Sequence, residues 1–229
     1  MLVRLFGRNF RSLRDDFELS MVAADLKREE DRKRGVIHVP IQGFEDPLGL
    51  LRSVAIYGPN ASGKSTVLLA AHALAWLVTE SSPRSKPDSV IPPYEPFLLD
   101  ARSKEAPVEL GCDVVQGEHI VRYKIAYTSR TVLSEQLSRL DSSGETRLIE
   151  RNDQGDVEGE LIKNSKVNRL YVKEMQPNVA VLSKLAQHGP RRGKESVRSD
   201  YQAIRNALLY RDYSSIAGKI PGQNQATSQ

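Results

Sequence analysis

Residues Gly58, Pro59, Asn60, Ala61, Ser62, Gly63, Lys64 and Ser65 satisfy the pattern GxxxxGK[ST] at every required position. The flanks agree with it. Residues 53–57 (SVAIY) read as a compact apolar strand ending at Gly58, and residues 63–79, rich in Ala and Leu, read as a helix stopped by Ser81, Ser82 and Pro83. A strand, a glycine-bracketed loop and a helix in that order point to an α/β fold with a phosphate-cradling turn. Glycine lets the backbone bend round an anion without a Cβ in the way. Successive amides from Asn60 to Ser65 can point inward as a nest, and the helix N-terminus adds partial positive charge. Lys64 is the catalytic candidate, reaching the β- and γ-phosphates of a nucleoside triphosphate. The Ser65 hydroxyl is placed to ligate Mg²⁺, and Thr66 to touch the α-phosphate. The plain alternative is a glycine-rich turn that holds no ligand.

The rest of the chain divides into short pieces. Residues 2–6 and 17–22 read as paired strands and residues 36–41 as another. Residues 81–96 carry five prolines and form a long irregular connection. From 107 to 151 four segments with partial alternation, separated by Gln116-Gly117, Ser129-Arg130 and Ser142-Ser143-Gly144, describe an antiparallel meander. Residues 152–160 read as a loop. Residues 179–186 form a short helix that Asn178 is placed to cap, and residues 200–210 another, capped by Asp200, with Ile204, Ala207 and Leu208 on one face. This gives a lobe over 1–211, with a phosphate-binding core at 1–80 and the meander at 107–151, then a polar, disordered tail at 212–229.

Composition excludes other classes. The longest mostly apolar run, residues 67–78, is too short for a membrane span and contains His72. The opening MLVRLFGRNFRSLRDD has Arg every few residues, unlike a secretory signal, so a cytoplasmic protein without membrane contact is expected. The single cysteine, Cys112, excludes an internal disulfide framework or a cysteine-rich zinc site. A net charge of +4 permits nucleic-acid contact without implying it. The run KREEDRKR at 27–34 mixes signs and reads as a solvated loop; Arg191, Arg192 and Lys194, after Gly189-Pro190, also read first as exposed loop.

GPNASGKST resembles the phosphate loop of ABC-type ATPases, including the SMC and RecF groups, with Ala61 in place of a common glycine. RNFRSL resembles the turn near the nucleotide in RecF- and SMC-like heads. With IYGPNASGKSTVLLAAHAL, YEPFLLD, VLSEQLSRL and QPNVAVLSKLAQ, the chain from about residue 2 to 187 is similar to the N-terminal part of bacterial AAA-family ATP-binding proteins grouped with abortive-infection and OLD-type phage-defence ATPases. The resemblance implies a P-loop lobe with a mixed sheet and central helix beside the meander. It also implies ATP with Mg²⁺, a head that dimerises around two ATP molecules, and a link to phage defence or DNA maintenance in which nucleic acid or a nuclease partner can take part. The absence of NKxD agrees with ATP over GTP. Arg11 would then lie near the phosphates or base; otherwise it is a surface turn arginine.

Several parts are missing from the sequence. No run of four apolar residues ends in Asp-Glu, and VLSEQL resembles the LSGGQ signature only superficially. Asp100 follows the proline-rich connection without an adjacent Glu, and Gln136 reads as a strand-face residue. Hydrolysis by the chain alone is therefore not expected. Either the chain is an incomplete relative, the reading favoured here, or another polypeptide supplies the C-terminal ATPase lobe. An exposed apolar sheet edge or face should result. A P-loop kinase is a further reading, weakened by the antiparallel insert and the lack of an arginine-rich lid. A non-enzymatic remnant that binds and modulates an intact ATPase is another.

Overall fold

Alternating residues along 108–151 put one apolar set on a single side of four neighbouring strands. In the computed structural model, which describes residues 1–24, 35–194 and 196–208, these strands are β5 (Val108–Gln116), β6 (His119–Tyr127), β7 (Val132–Asp141) and β8 (Gly144–Arg151). They pair as an antiparallel meander, as the alternation predicts. Val108, Leu110, Cys112, Val121, Tyr123, Ile125, Leu137 and Ile149 are buried on the inner face. The charged run at 27–34 and the tail at 212–229 lie outside the described residues.

The opening hairpin, β1 (Leu2–Arg8) with β2 (Phe17–Ser20), extends this sheet, and a two-residue β9 (Val157–Glu158) ends it. The strand order is β2-β1-β5-β6-β7-β8-β9. β3 (Val36–Val39) and β4 (Leu48–Leu51) form a separate hairpin, of which β4 gave no clear signal in the sequence.

The expected mixed sheet is not found: every strand pairing among the described residues is antiparallel. The physical reason lies at 53–57. The segment expected to be the apolar strand before the glycine loop pairs with nothing, and its amides have no backbone acceptor among the described residues. Val54, Ile56 and Tyr57 are 44%, 36% and 90% exposed. A strand needs a neighbour to satisfy its peptide groups, and none stands beside it.

Helices cover the inner face of the large sheet. α1 (Lys64–Thr79) buries Thr66, Ala70, Ala73, Leu74, Leu77 and Val78, which recur at helical spacing on one side. Its opposite side, with Ser65, Leu68, Leu69 and His72, is exposed. Trp76, Tyr94 and Ala207 pack at the margin of the core. The chain does not stop sharply after α1, because α2 (Ser81–Arg84) adds a further turn. α3 (Ala101–Glu105), α4 (Glu160–Lys163) and α5 (Lys166–Lys173) fall where the sequence suggested loop or nothing definite. α6 (Val181–His188) and α7 (Arg198–Leu208) are the two expected helices, each displaced by about two residues.

Their caps differ from expectation. Asn178 does not cap α6: its amide donates to the Lys86 and Ser89 carbonyls, at 2.9 and 3.0 Å, and so ties down the proline-rich connection. The cap comes from the sheet. The buried Glu135 carboxylate accepts from the Val181 and Leu182 amides at 2.6 and 2.9 Å and from the Tyr123 hydroxyl at 2.9 Å. Asp200 is not a cap either. It lies inside the first turn of α7, fully buried, and takes a forked pair of bonds from Arg139.

Burial pushes the Glu135 carboxyl above its ordinary value of 4.5, although the two amides, Arg151 and Tyr123 pull the other way. The folded state therefore holds this proton more tightly than the unfolded chain. The contribution is fully present below about pH 4.5 and declines as pH rises through the raised value. Glu135→Ala should cost about 3 kcal/mol, because it strands two helix amides and a phenol, and Glu135→Gln about 1 kcal/mol. In thermal melts, the wild type's advantage over Glu135→Gln should shrink from pH 4.5 to 7.5; a growing advantage contradicts this account.

Candidate functional site

The glycine loop lies between the unpaired segment 53–57 and the first turn of α1. Gly63 is the N-cap residue of α1 with φ +91, a left-handed conformation that suits glycine. A Cβ there would come within 2.9 Å of Leu13 Cδ2. Ala61 also adopts a left-handed conformation, φ +64. This position, where the resemblance leads one to expect glycine, is therefore strained in this chain.

The amides of Asn60, Ala61, Gly63, Lys64, Ser65 and Thr66 have no acceptor among the described residues, whereas Ser62 donates to the Pro59 carbonyl. Free amides gathered at a helix N-terminus make an anion cradle. Lys64 is folded back over the loop, its ammonium donating to the Gly58 and Pro59 carbonyls at 2.7 and 2.5 Å. Ser65 is exposed at the mouth of the loop. The Thr66 hydroxyl is buried and engaged elsewhere, 2.7 Å from the Ser12 hydroxyl, so only its amide faces the cradle's side of the helix end.

The RNFRSL turn thus stands against the loop, through Ser12 on Thr66 and Leu13 on Gly63. Arg11 does not reach the loop itself. With φ +53, it turns to Glu95, its guanidinium 2.7 Å from that carboxylate and its amide 2.8 Å from the Glu95 carbonyl. Asn9 is the residue of this turn that sequence reasoning missed. It is buried, donates to the carbonyls of Ser103, Ala106 and Pro107, and accepts from the Phe97 amide. A polar residue between an apolar strand and a tight turn was its only signal.

Asp100 is placed away from any metal role: it caps α3, accepting from the Ser103 amide and hydroxyl at 2.9 and 2.8 Å. Gln136 is a strand-face residue, bonded to Ser138 and Glu145. Among the described residues no group of three or more His, Cys, Asp or Glu side chains could hold a metal ion. Lys64, the free amides and the Ser65 hydroxyl are the groups on which a magnesium-bound triphosphate would fit. A carboxylate to orient the metal is not among them.

A family model for AbiEii toxin-like AAA domains of type IV toxin–antitoxin systems matches residues 53–169, just over half of the chain. The chain belongs to this AAA domain family. The match begins at the unpaired segment before the loop and runs through the meander into α5, so the family's defining stretch includes the cradle. An AAA domain is a nucleotide-binding, ATPase-type module. No curated protein and no solved structure gives a match to the chain. Among the described residues, no helix is long and apolar enough to cross a membrane.

The two left-handed residues of the AAA loop make opposite predictions. Ala61→Gly should raise stability by about 1 kcal/mol by removing strain. Gly63→Ala should lower it by about 1–2 kcal/mol and displace the Ser12–Leu13 turn. Chemical denaturation of both variants checks the pair, and equal shifts in one direction would contradict the geometry.

Proposed function

We propose that this chain is the ATP-binding lobe of an AAA/ABC-type ATPase, working with Mg²⁺ in a phage-defence or DNA-maintenance system. The observation that carries the reading is the set of six amides, those of Asn60, Ala61, Gly63, Lys64, Ser65 and Thr66, left without acceptors among the described residues in the loop that also holds the Lys64 ammonium. On this reading Gly58, Pro59, Asn60, Ala61, Ser62 and Gly63 shape the cradle. Lys64 exchanges two loop carbonyls for β- and γ-phosphate oxygens and neutralises charge on the transferred group. The Ser65 hydroxyl supplies a ligand for Mg²⁺, which when bound neutralises the phosphates, and Thr66 contributes its amide. Arg11 would have to leave Glu95 to meet the nucleotide. The lack of NKxD supports adenine over guanine.

Titration of the protein with a fluorescent ATP analogue and Mg²⁺ should saturate. Lys64→Ala should weaken binding at least about tenfold, the loss of charge-assisted bonds. The absence of a saturable signal, or indifference to this substitution, would overturn the proposal.

Hydrolysis needs a carboxylate that the cradle lacks, and the place for its supplier is suggested by the uncovered surfaces. Val54, Ile56 and Tyr57 on the unpaired segment, and Leu68 and Leu69 on α1, are apolar and exposed. Ser65 lies on that same side of α1. A second lobe adding a strand beside 53–57 would cover these side chains, and an acidic residue at its end would arrive near the Ser65 hydroxyl. Such a lobe, from a C-terminal ATPase polypeptide or within a homodimer, is the partner this reading requires. The protein by itself should bind nucleotide with little turnover and should self-associate. Tyr57→Asp with Leu68→Asp should reduce that association in size-exclusion chromatography; a monodisperse wild-type monomer would count against this surface. A second reading, a non-enzymatic partner that modulates an intact ATPase, draws on the same exposed surface.

A further inference from the structure

A second charged surface lies apart from the phosphate cradle. Residues 158–195 contain eight Lys and Arg against four Glu, so this stretch of 38 residues carries a net +4, as much as the whole chain. In sequence these cations are scattered, and Arg191, Arg192 and Lys194 look like a solvated loop. The fold gathers them. α5 turns Asn168, Tyr171 and Val172 toward α6 and leaves Lys166, Arg169, Leu170 and Lys173 facing out. At the end of α6, the His188 ring stands 5.8 Å from Tyr171 of α5, and Gly189 approaches the Asn168 side chain. The loop bearing Arg191, Arg192 and Lys194 therefore starts beside the middle of α5.

These cations are not consumed by the protein's own acids. Among the described residues, Lys166, Lys173, Arg191, Arg192 and Lys194 have no carboxylate within 4 Å, and all five are exposed. Lys163 stands 3.8 Å from Glu158, and Arg169 is held by the Ile162 and Lys163 carbonyls at the end of α4. Lys166 and Lys173 are two helical turns apart, about 11 Å, which is comparable to the width of a major groove of about 12 Å. Lys166 and Lys173 form a short stripe, and the loop that begins near Asn168 adds three further exposed cations, Arg191, Arg192 and Lys194.

We infer that this stripe is a docking surface for the phosphate backbone of duplex nucleic acid, bound without base readout. Charge complementarity selects the partner. A duplex carries one charge per about 1.7 Å of its axis, a regular polyanion that a fixed row of cations can follow. Lysines on an exposed helix act as point charges that position a duplex and do not read it. A bilayer surface fits less well, because the apolar side of α5 faces α6 and only Val167 and Leu170 point outward. The inference is independent of nucleotide binding and stands or falls without it.

Fluorescence anisotropy with two unrelated labelled DNA duplexes of about 30 base pairs tests it, at 50 and 200 mM salt. The wild-type protein should bind both alike, and more weakly at the higher salt. Lys166→Glu, Lys173→Glu and Arg192→Glu together should weaken binding at least about tenfold and reduce the slope of log affinity against log salt by about 2–3. Lys104→Glu, on α3, should leave binding unchanged. If the reversed variant loses its native circular dichroism, the triple Gln variant takes its place and should show a smaller loss in the same direction. No wild-type binding at 50 mM, or full binding by a folded triple variant, would overturn the inference. So would preference for phosphatidylserine vesicles or polyglutamate over duplex DNA.

Discussion

The two layers of this protein are joined at a buried carboxylate. Glu135 stands on the inner face of β7, where a charge is costly, and its oxygens are used in full by two amides at the start of α6 and by the Tyr123 hydroxyl. Arg151, opposite it in the sheet, donates to the Pro177 and Val179 carbonyls just before α6. Sheet and helix thus exchange donors and acceptors across what would otherwise be a plain apolar contact. An apolar interface tolerates sliding; this one fixes where α6 begins and hence where α1 lies against it. The cradle at the head of α1 inherits that position.

A second set of buried polar contacts holds the loop's surroundings. Asn9 gathers the Phe97 amide, just past the proline-rich connection, with three carbonyls at 103–107, and Asn178 binds the middle of that connection at Lys86 and Ser89. Asn9 sits in the turn whose resemblance to ATPase heads suggested a place near the nucleotide, and Asn178 was expected to cap a helix, yet both side chains hold scaffold. The Ser12–Thr66 hydroxyl contact is the link from scaffold to cradle. Since the loop has few bonds of its own, its shape depends on these neighbours and on two residues with positive φ.

The two sides of α1 differ among the described residues. The large sheet has its helices, and its buried side of α1 is continuous core. The far side of α1 and the segment before the glycine loop present apolar side chains and unpaired peptide groups together. Chemistry and surface agree here: the loop has one cation, Lys64, and free amides but no carboxylate among the described residues, and Ser65 is exposed on the uncovered side of α1.

Much of this was legible in the chain itself. The glycine loop is a spacing of obligatory residue types, and the meander is a two-residue alternation, so both are local patterns that any reading finds. Helix α1 follows from Ala and Leu content, and its one-sided burial emerges only in the fold. What the sequence could not carry were relations between distant residues. Residues 53–57 have the composition of a strand, but a strand exists only beside another, and that neighbour is not among the described residues. Asn178 and Asp200 have the right types to cap the helices near them; only the fold brought Lys86 to the one and Arg139 to the other. Glu135 looked like part of a degenerate signature until α6 was placed over it. Local chemistry set the cradle, because its donors come from consecutive residues; the tertiary structure alone set its company, because burial and partners are decided by chain segments that meet across long separations.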